Sequence, residues 1–231
     1  MCGLQNSRDA LVSISSHENG HNNNKGIFFS DFQILSRCAI SAVQEVRDSK
    51  GLAIQALLQK LNRYYRLSRN MASLISSFPV PHMAVASDFV LLLHHTCPRE
   101  AARELDLLFE VCMELMHWWK TENVMVLGDL NAGGAYVPMS ALARIRLHNH
   151  PAFHWLISDE EDTTVSHRTC CSYDRIIVHG EELLSAVVPG SAKPYNFTKA
   201  FGLSEEEALE ISDHYPVEVK LKLAPKNQQE L

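Results

Sequence analysis

The segment "VMVLGDLNAGGAY", residues 124–136, combines a run of apolar residues with two closely spaced polar side chains. Its first four residues are apolar and indicate a buried strand that ends at Gly128. Asp129 and Asn131 follow two positions apart, and in an extended chain residues i and i+2 point to the same side. Their oxygens suit Mg²⁺ or Ca²⁺, and the amide N–H can donate to a phosphate. Taken alone, the stretch favours a simpler interpretation, a turn in which both side chains bond their own backbone.

The composition sets the class of protein. The chain has 231 residues, of which 46% are hydrophobic, as in an ordinary soluble domain with a large core. The formal net charge of -6 gives no global attraction for a polyanion, so contact with a nucleic acid would depend on local Arg and Lys or on metal ions. The six cysteines lack the C-x-x-C spacing of zinc sites, and no apolar run reaches the ~18 residues of a membrane span. We expect one monomeric domain with no membrane span.

Around the opening stretch, the apolar pattern predicts alternating strands and helices. Residues 39–46 and 89–93 indicate strands, and residues 51–65 and 98–120 show the spacing of helices. Three later segments, "FHWLIS", "YDRIIVHG" and "YPVEVKLKL", alternate like antiparallel strands. The sequence therefore predicts an α/β protein with mixed sheets.

The two ends of the chain differ from this pattern. Residues 1–26 are rich in Asn, His and Ser, and we expect them to be disordered or irregular. Residues 27–223 are expected to form the folded domain, and residues 224–231 a frayed tail. The N-terminus has no charged region followed by an apolar one, so no secretory signal is predicted.

Ionisable side chains lie at the ends of several predicted strands. Each one alone fits a capped turn or a core histidine whose hydrogen bonds are satisfied. Together with Asp129 and Asn131 they fit an active site assembled at strand ends of an α/β scaffold. These side chains are Glu45, His94, His95, Asp174, Asp213 and His214.

The sequence of these segments resembles that of the deoxyribonuclease I family, within the wider endonuclease/exonuclease/phosphatase group. The motifs are "ILSRCAISAVQEVRDS", "LHHTCP", "GDLNAGGAYVP", "CSYDRIIVHG" and "ISDHYPVEVKLKL". "NAGGAYVP" and "SEEEALEISDHYPVEVKLK" are most similar to the deoxyribonuclease gamma branch of the family. The members of that branch are DNA endonucleases that require Ca²⁺ and Mg²⁺. The resemblance implies a four-layer α-β-β-α sandwich with two mixed sheets. It also implies a secreted or endoplasmic reticulum location, which the N-terminus does not support.

The matched positions take their expected roles from the family. The resemblance implies that Glu45 and Asp213 bind the catalytic metal and that Arg47 contacts a phosphate. It also implies that Asp129 and Asn131 orient the phosphate, the metal and the attacking water.

Two histidines are expected to transfer protons. His95 matches the general acid that protonates the leaving oxygen, and His214, held by Asp174, matches the second catalytic histidine. Hydrolysis of a phosphodiester needs charge neutralisation and proton transfer near neutral pH, which a divalent ion and two imidazoles supply. Asp162 and Thr164 fall where the family holds a structural Ca²⁺.

The sequence also departs from the family pattern. The family's opening strand has no recognisable counterpart before Phe28, and a segment with several strands is missing near residues 77–81. The missing segment carries the glutamate that partners the general-acid histidine, so we expect His95 to lack its carboxylate. Because of the missing strands, the sandwich is expected to be incomplete. In the family, a cysteine near the position of Gly134 pairs with the counterpart of Cys171, so we expect that disulfide to be absent.

Three functions stay open at this point. The first is a divalent-metal-dependent DNA endonuclease that uses a two-histidine mechanism. The second is a catalytically impaired variant that retains at most binding of DNA, metal or protein. The third, a phosphatase acting on a small substrate, is disfavoured because "YDRIIV" and "SDHYPVEV" follow the nuclease wording.

Overall fold

The computed structural model describes residues 89–222 without a break, together with three strands and three single residues nearer the N-terminus, Gln33, Ile34 and Arg37. Glu45, Arg47 and the helix predicted over residues 51–65 lie outside the described residues, as does the tail expected to fray. Among the helices that are described, none is both long and apolar enough to cross a membrane.

The described residues form two mixed sheets, as predicted. One sheet has the order β2-β1-β9-β8 and the other β3-β4-β5-β7-β6. The pairs β1/β2 and β4/β5 are parallel, and the other pairs are antiparallel. The strands are β1 Ala10–Ser16, β2 Ile40–Gln44, β3 Ile75–Phe78, β4 Phe89–Leu93, β5 Val124–Asp129, β6 Phe153–Trp155, β7 Asp174–His179, β8 Lys193–Pro194 and β9 Val217–Leu221.

One long helix and several short ones accompany the sheets in this part of the chain. The long helix is confirmed where the sequence predicted it, and its buried residues include Leu105, Leu108, Cys112 and Leu115, spaced as on one helical face. The helices are α1 Ala101–Trp119, α2 Met139–Leu142, α3 Arg146–Asn149, α4 Glu181–Ala186, α5 Phe197–Phe201 and α6 Glu205–Leu209.

Strand β5 is buried on both faces, which explains its unbroken apolar run. Val124 and Val126 pack in the core with α1, whereas Met125 and Leu127 pack in a second core that includes Val219 of β9. The second core therefore lies between the two sheets, and the first lies between a sheet and its helix. This packing fixes the position of the polar residues at the end of β5.

Residues Ala10–Ser16 differ from the prediction, because they form a strand inside the segment expected to be disordered. This strand, β1, pairs with β2 on one side and with β9 on the other. The sequence "VSIS" within it alternates apolar and small polar residues, which is typical of a strand. The overall polarity of residues 1–26 concealed this short alternation, and the expectation that no strand precedes Phe28 was wrong.

Candidate active site

The loop after β4 brings His95 to the end of β5. The backbone N–H groups of His94 and Thr96 donate to Leu127 and Asp129, at 3.1 and 3.0 Å, and so extend the parallel pairing beyond the strand. His95 lies between them, and its Nε2 is 3.5 Å from Asp129 Oδ2. His95 Nε2 therefore has a carboxylate neighbour in Asp129, whereas the expected loss of the family glutamate that partners this histidine stays a prediction.

Asp129 and Asn131 form the turn of the simpler interpretation, and Asp129 also faces the two histidines. Asp129 Oδ1 accepts the backbone N–H of Asn131 at 3.0 Å, and Asn131 has a positive φ of 46°. The Asn131 side chain donates from Nδ2 to the Thr96 carbonyl at 3.1 Å. The local turn uses one oxygen of Asp129, whereas the other oxygen, Oδ2, faces the histidines.

Strand β7 starts opposite the end of β5, so that Asp174 pairs in register with Asp129. His214 Nδ1 lies 2.7 Å from Asp174 Oδ2 and 3.9 Å from Asp129 Oδ2. Because a carboxylate accepts, the ring donates its Nδ1–H, which fixes the tautomer of His214. The contact expected between His214 and Asp174 is present.

The backbone around His214 is held by a neighbouring segment. Thr164 and His214 form an isolated antiparallel bridge. On either side of it, Val165 N–H donates to Asp213 O and Tyr215 N–H donates to Thr163 O, both at 2.8 Å. His214 therefore rests on a strand-like support in addition to its bond with Asp174.

Burial and close charges shift the proton affinities of this cluster. Burial and the neighbouring Asp174 raise the pKa of Asp129 to about 6, against the lowering effect of the two histidines. Burial alone lowers the pKa of His214, but the carboxylates of Asp174, Asp129 and Asp213 outweigh it and raise the pKa to about 10. His214 is therefore protonated near neutral pH in this arrangement.

Three of the predicted metal and calcium residues, Asp213, Asp162 and Thr164, do not belong to this cluster. Asp213 is exposed and does not belong to the described metal-ligand group, although it lies beside His214 in the chain. Asp162 Oδ1 accepts from Thr164 N, Thr164 Oγ1 and Cys171 N, at 2.9, 2.6 and 3.2 Å. Asp162 and Thr164 are thus adjacent, and the roles suggested for them stay predictions.

Sequence reasoning missed two charged residues near the site. Glu104, in the first turn of α1, has Oε2 3.1 Å from His94 Nε2 and accepts the Cys97 N–H at 3.3 Å. Arg175, which follows Asp174, is 1% exposed and binds the backbone of two loops. An acidic residue early in a predicted helix was a signal for Glu104, and a charged residue inside an apolar strand was a signal for Arg175.

Gly134 stands where the family resemblance implies a cysteine, and it lies close to Cys171. A Cβ added at Gly134 would lie 2.7 Å from Cys171 Sγ. Cys171 is a free thiol, as are Cys97, Cys112 and Cys170 among the described cysteines. The glycine thus occupies the place from which a cysteine would reach Cys171.

The sequence of this chain is similar to those of known deoxyribonucleases. Deoxyribonuclease gamma of Homo sapiens is 38% identical over 237 aligned positions, which cover 82% of this chain and 77% of that protein. Deoxyribonuclease-1 of Sus scrofa is 40% identical over 238 positions, which cover 83% of each chain. The chain belongs to the deoxyribonuclease I family. No model of a protein family matches the sequence.

The alignment also shows a shortfall inside the matched region. It runs over 237 positions but covers 82% of 231 residues, about 189, so about 48 positions of the human deoxyribonuclease gamma alignment have no residue in this chain. This number agrees with a missing segment of several dozen residues, and the place of that segment near residues 77–81 stays a prediction.

Solved structures confirm the fold class of this deoxyribonuclease family member. The catalytic domain of human Nocturnin with bound sulfate gives a TM-score of 0.56 at 15% identity, covering 94% of this chain and 95% of that one. The endonuclease/exonuclease/phosphatase from Bacteroides vulgatus gives 0.52 at 12% identity, covering 94% and 99%. The chain therefore has the α/β sandwich fold of that group, with two mixed sheets.

Proposed function

We propose that this member of the deoxyribonuclease I family is a divalent-metal-dependent DNA endonuclease that hydrolyses phosphodiester bonds with two histidines. The observation that carries the proposal is the meeting of His95 and His214 at one buried oxygen, Asp129 Oδ2, at 3.5 and 3.9 Å. Two imidazoles on either side of a buried carboxylate can serve the two proton transfers of the reaction.

The substrate follows from the relatives and the site. The two sequence relatives compared above, from Homo sapiens and Sus scrofa, are named deoxyribonucleases, and they match most of this chain. The net charge of -6 supplies no long-range attraction for DNA, so binding depends on cations at the site itself. Arg47 is the proposed phosphate contact, and Asn131 is proposed to orient the scissile phosphate.

The residues at the end of β5 and β7 fit a divalent cation. Asp129, Asp174 and His214 each offer a ligand atom, and these atoms all lie within 4.8 Å of one another. Asp174 Oδ1 is buried, and no hydrogen-bond partner for it is found within the described part of the chain. An unsatisfied buried carboxylate oxygen costs about 1–3 kcal/mol or more, which a bound cation would offset.

The donor types indicate which cations to test. Mg²⁺ prefers oxygen ligands, so Asp129 and Asp174, with Glu45 as the family implies, are proposed to hold it. When bound, it neutralises phosphate charge and activates water. Ca²⁺ is proposed at Asp162 and Thr164, whose oxygens are adjacent.

Each histidine has a distinct proposed task. His95 is 29% exposed, so a substrate oxygen can reach it, and it is proposed to protonate the leaving 3′-oxygen. His214 is proposed to act on the attacking water, with its ring oriented by Asp174. Because the surrounding carboxylates raise the pKa of His214 to about 10, it can accept a proton only once their negative charge is offset.

A second candidate is a catalytically impaired member of the family that retains at most DNA, metal or protein binding. The gap of about 48 positions in the alignment favours it, because the expected missing segment includes a partner of the general acid. The meeting of His95 and His214 near Asp129 counts against it, because both proposed proton-transfer groups lie together at the end of β5.

The experiment is nicking of a supercoiled plasmid by purified protein whose folding is verified by circular dichroism. Cleavage is measured with Mg²⁺, with Ca²⁺, with both, and with EDTA. We expect cleavage that requires Mg²⁺, increases when Ca²⁺ is added, and stops in EDTA. Absence of cleavage by folded protein under every metal condition would favour the impaired variant.

A further inference from the structure

Arg175 is a fully buried cation on the strand that carries Asp174. Successive residues of a strand point to opposite faces, so Arg175 faces away from the pair of Asp174 and His214. The residue opposite Arg175 on β5 is Gly128, which has no side chain to compete for the space. Burial lowers the pKa of Arg175, and the nearby Asp159 opposes that effect. A cation in such a place is costly unless its N–H groups are bonded.

The guanidinium group joins the two loops that follow β5 and β6. We call residues 130–138 the Asn131 loop and residues 156–173 the Asp162 loop. Arg175 Nη2 donates to the Ala132 carbonyl of the Asn131 loop at 2.6 Å. Nη1 donates to the Ile157 carbonyl of the Asp162 loop at 2.9 Å, and Nη2 lies 2.8 Å from Asp159 Oδ1. The Trp155 ring lies 5.3 Å from the guanidinium carbon.

Both loops also contact the histidine side of the site. Ala132 follows Asn131, whose side chain donates to the carbonyl of Thr96, the residue after His95. In the Asp162 loop, Thr163 Oγ1 accepts the backbone N–H of Asp174 at 3.2 Å. Arg175 therefore bonds the backbone of the two segments that border both histidines.

We propose that Arg175 is a positioning residue for the reaction, which holds the Asn131 loop at a fixed distance from Asp174 and His214. The inference rests on the nuclease function proposed above. A planar guanidinium can bond three acceptors in fixed directions, whereas the ammonium of lysine is a point charge on a flexible stem. Lysine should therefore keep the charge and lose the geometry.

The test compares Arg175→Lys and Arg175→Met with wild type, and uses Arg146→Met as the matched control. Arg146 is an exposed arginine paired with Asp106 and Glu110 at the surface of α1. Initial rates of plasmid nicking are measured against DNA concentration at a temperature where every protein is folded. We expect kcat to fall about 10- to 100-fold in both Arg175 variants, with KM within about threefold of wild type. The Arg146 variant should keep the wild-type kcat.

A second readout does not need activity. Amide hydrogen exchange should become faster in the Asn131 loop and the Asp162 loop of Arg175→Lys, while exchange in α1 stays as in wild type. If Arg175→Met does not fold, Asp159→Asn removes one of the three contacts and should show a smaller change of the same kind. Wild-type protein that does not cleave DNA would defeat the proposed function, and the exchange measurement would still decide whether Arg175 holds the loops.

The outcomes separate positioning from a role in stability alone. Lower kcat with faster loop exchange in folded Arg175→Lys supports the proposal. A lower melting temperature with unchanged kcat overturns it, because the residue would then serve the fold only. Unchanged exchange in both loops overturns it as well.

Discussion

The two histidines of this site are held in different ways. His214 is 13% exposed and lies 2.7 Å from a buried carboxylate, that of Asp174, with Asp129 as a second neighbour. His95 is 29% exposed and lies 3.5 Å from Asp129. The His214 half of the site is thus fixed before substrate arrives, whereas the His95 half is more open.

The backbone segments that carry the two histidines also differ in how firmly they are held, and again the His214 segment is held more firmly. His214 is bridged to Thr164, within the segment that pairs with residues 213–215. His95 lies in a loop that is fastened by two backbone bonds to β5 and by Glu104, which contacts His94 and Cys97. Preorganisation is therefore concentrated on the side of Asp174, where a short charged hydrogen bond sets the orientation of the His214 ring.

The largest expected effect is that of His214→Ala, because it removes the histidine of the fixed half. Cleavage should fall about 10³-fold, within the range for loss of a general acid or base. The melting temperature should fall as well, since Asp174 is left buried without its partner. Nicking rates at a temperature where the variant is folded measure the first effect, and a thermal melt measures the second. Cleavage at the wild-type rate would exclude His214 from the reaction.

His95→Ala should have a smaller effect, about 10²-fold on cleavage, because the more open half relies less on preorganised contacts. The control is His117→Ala, which changes an exposed histidine on α1. The same nicking assay measures both variants. A loss in His95→Ala equal to or larger than that in His214→Ala would reverse the comparison.

The pH dependence of stability should also separate the two halves. The pKa of His214 is raised from 6.5 to about 10 in the folded chain, so its stabilising contribution is fully present below pH 6.5. That contribution is lost as the pH rises from 6.5 through 10. The melting temperatures of wild type and His214→Gln are measured in EDTA at pH 6.5 and at pH 9. The decrease between the two pH values should be larger in wild type than in His214→Gln, by about 3 °C or more. Parallel pH profiles for the two proteins would contradict this account of the pair.

The smallest expected effect is that of Glu104→Gln, which weakens the fastening of the His95 loop. The glutamine can still bond the loop but loses the charge that faces His94. Cleavage should fall by less than about tenfold, with kcat affected more than KM. A loss as large as that of His95→Ala would mean that Glu104 has a direct part in the reaction.

The sequence predicted much of the scaffold because its signals are local. The apolar run of β5 and the spacing of α1 each require burial, and burial on both faces of β5 is what the structure has. The contact between Asp174 and His214 was expected from the resemblance to the family's sequence motifs. Asp129 and Asn131 were expected to point into one site, and Asp129 does so with one oxygen while the other makes a turn.

The remaining features depend on contacts between distant segments. The neighbour of His95 is set by how the loop after β4 continues the pairing with β5, which no spacing in the sequence displays. Asp213 is exposed because the chain turns there, beside a residue that points inward. The strand Ala10–Ser16 was missed because the polarity of the surrounding residues concealed its alternation, and because one of its pairing partners, β9, lies near the other end of the chain.

The most direct test of the account measures Mg²⁺-dependent nicking by wild type, His95→Ala and His214→Ala side by side, with folding verified for each. We expect wild type to cleave in Mg²⁺ and not in EDTA, and both variants to lose activity, His214→Ala more than His95→Ala. Folded wild-type protein that leaves the plasmid intact in Mg²⁺, or a His214→Ala variant that cleaves as wild type does, would contradict the claim that the two histidines form a working nuclease site.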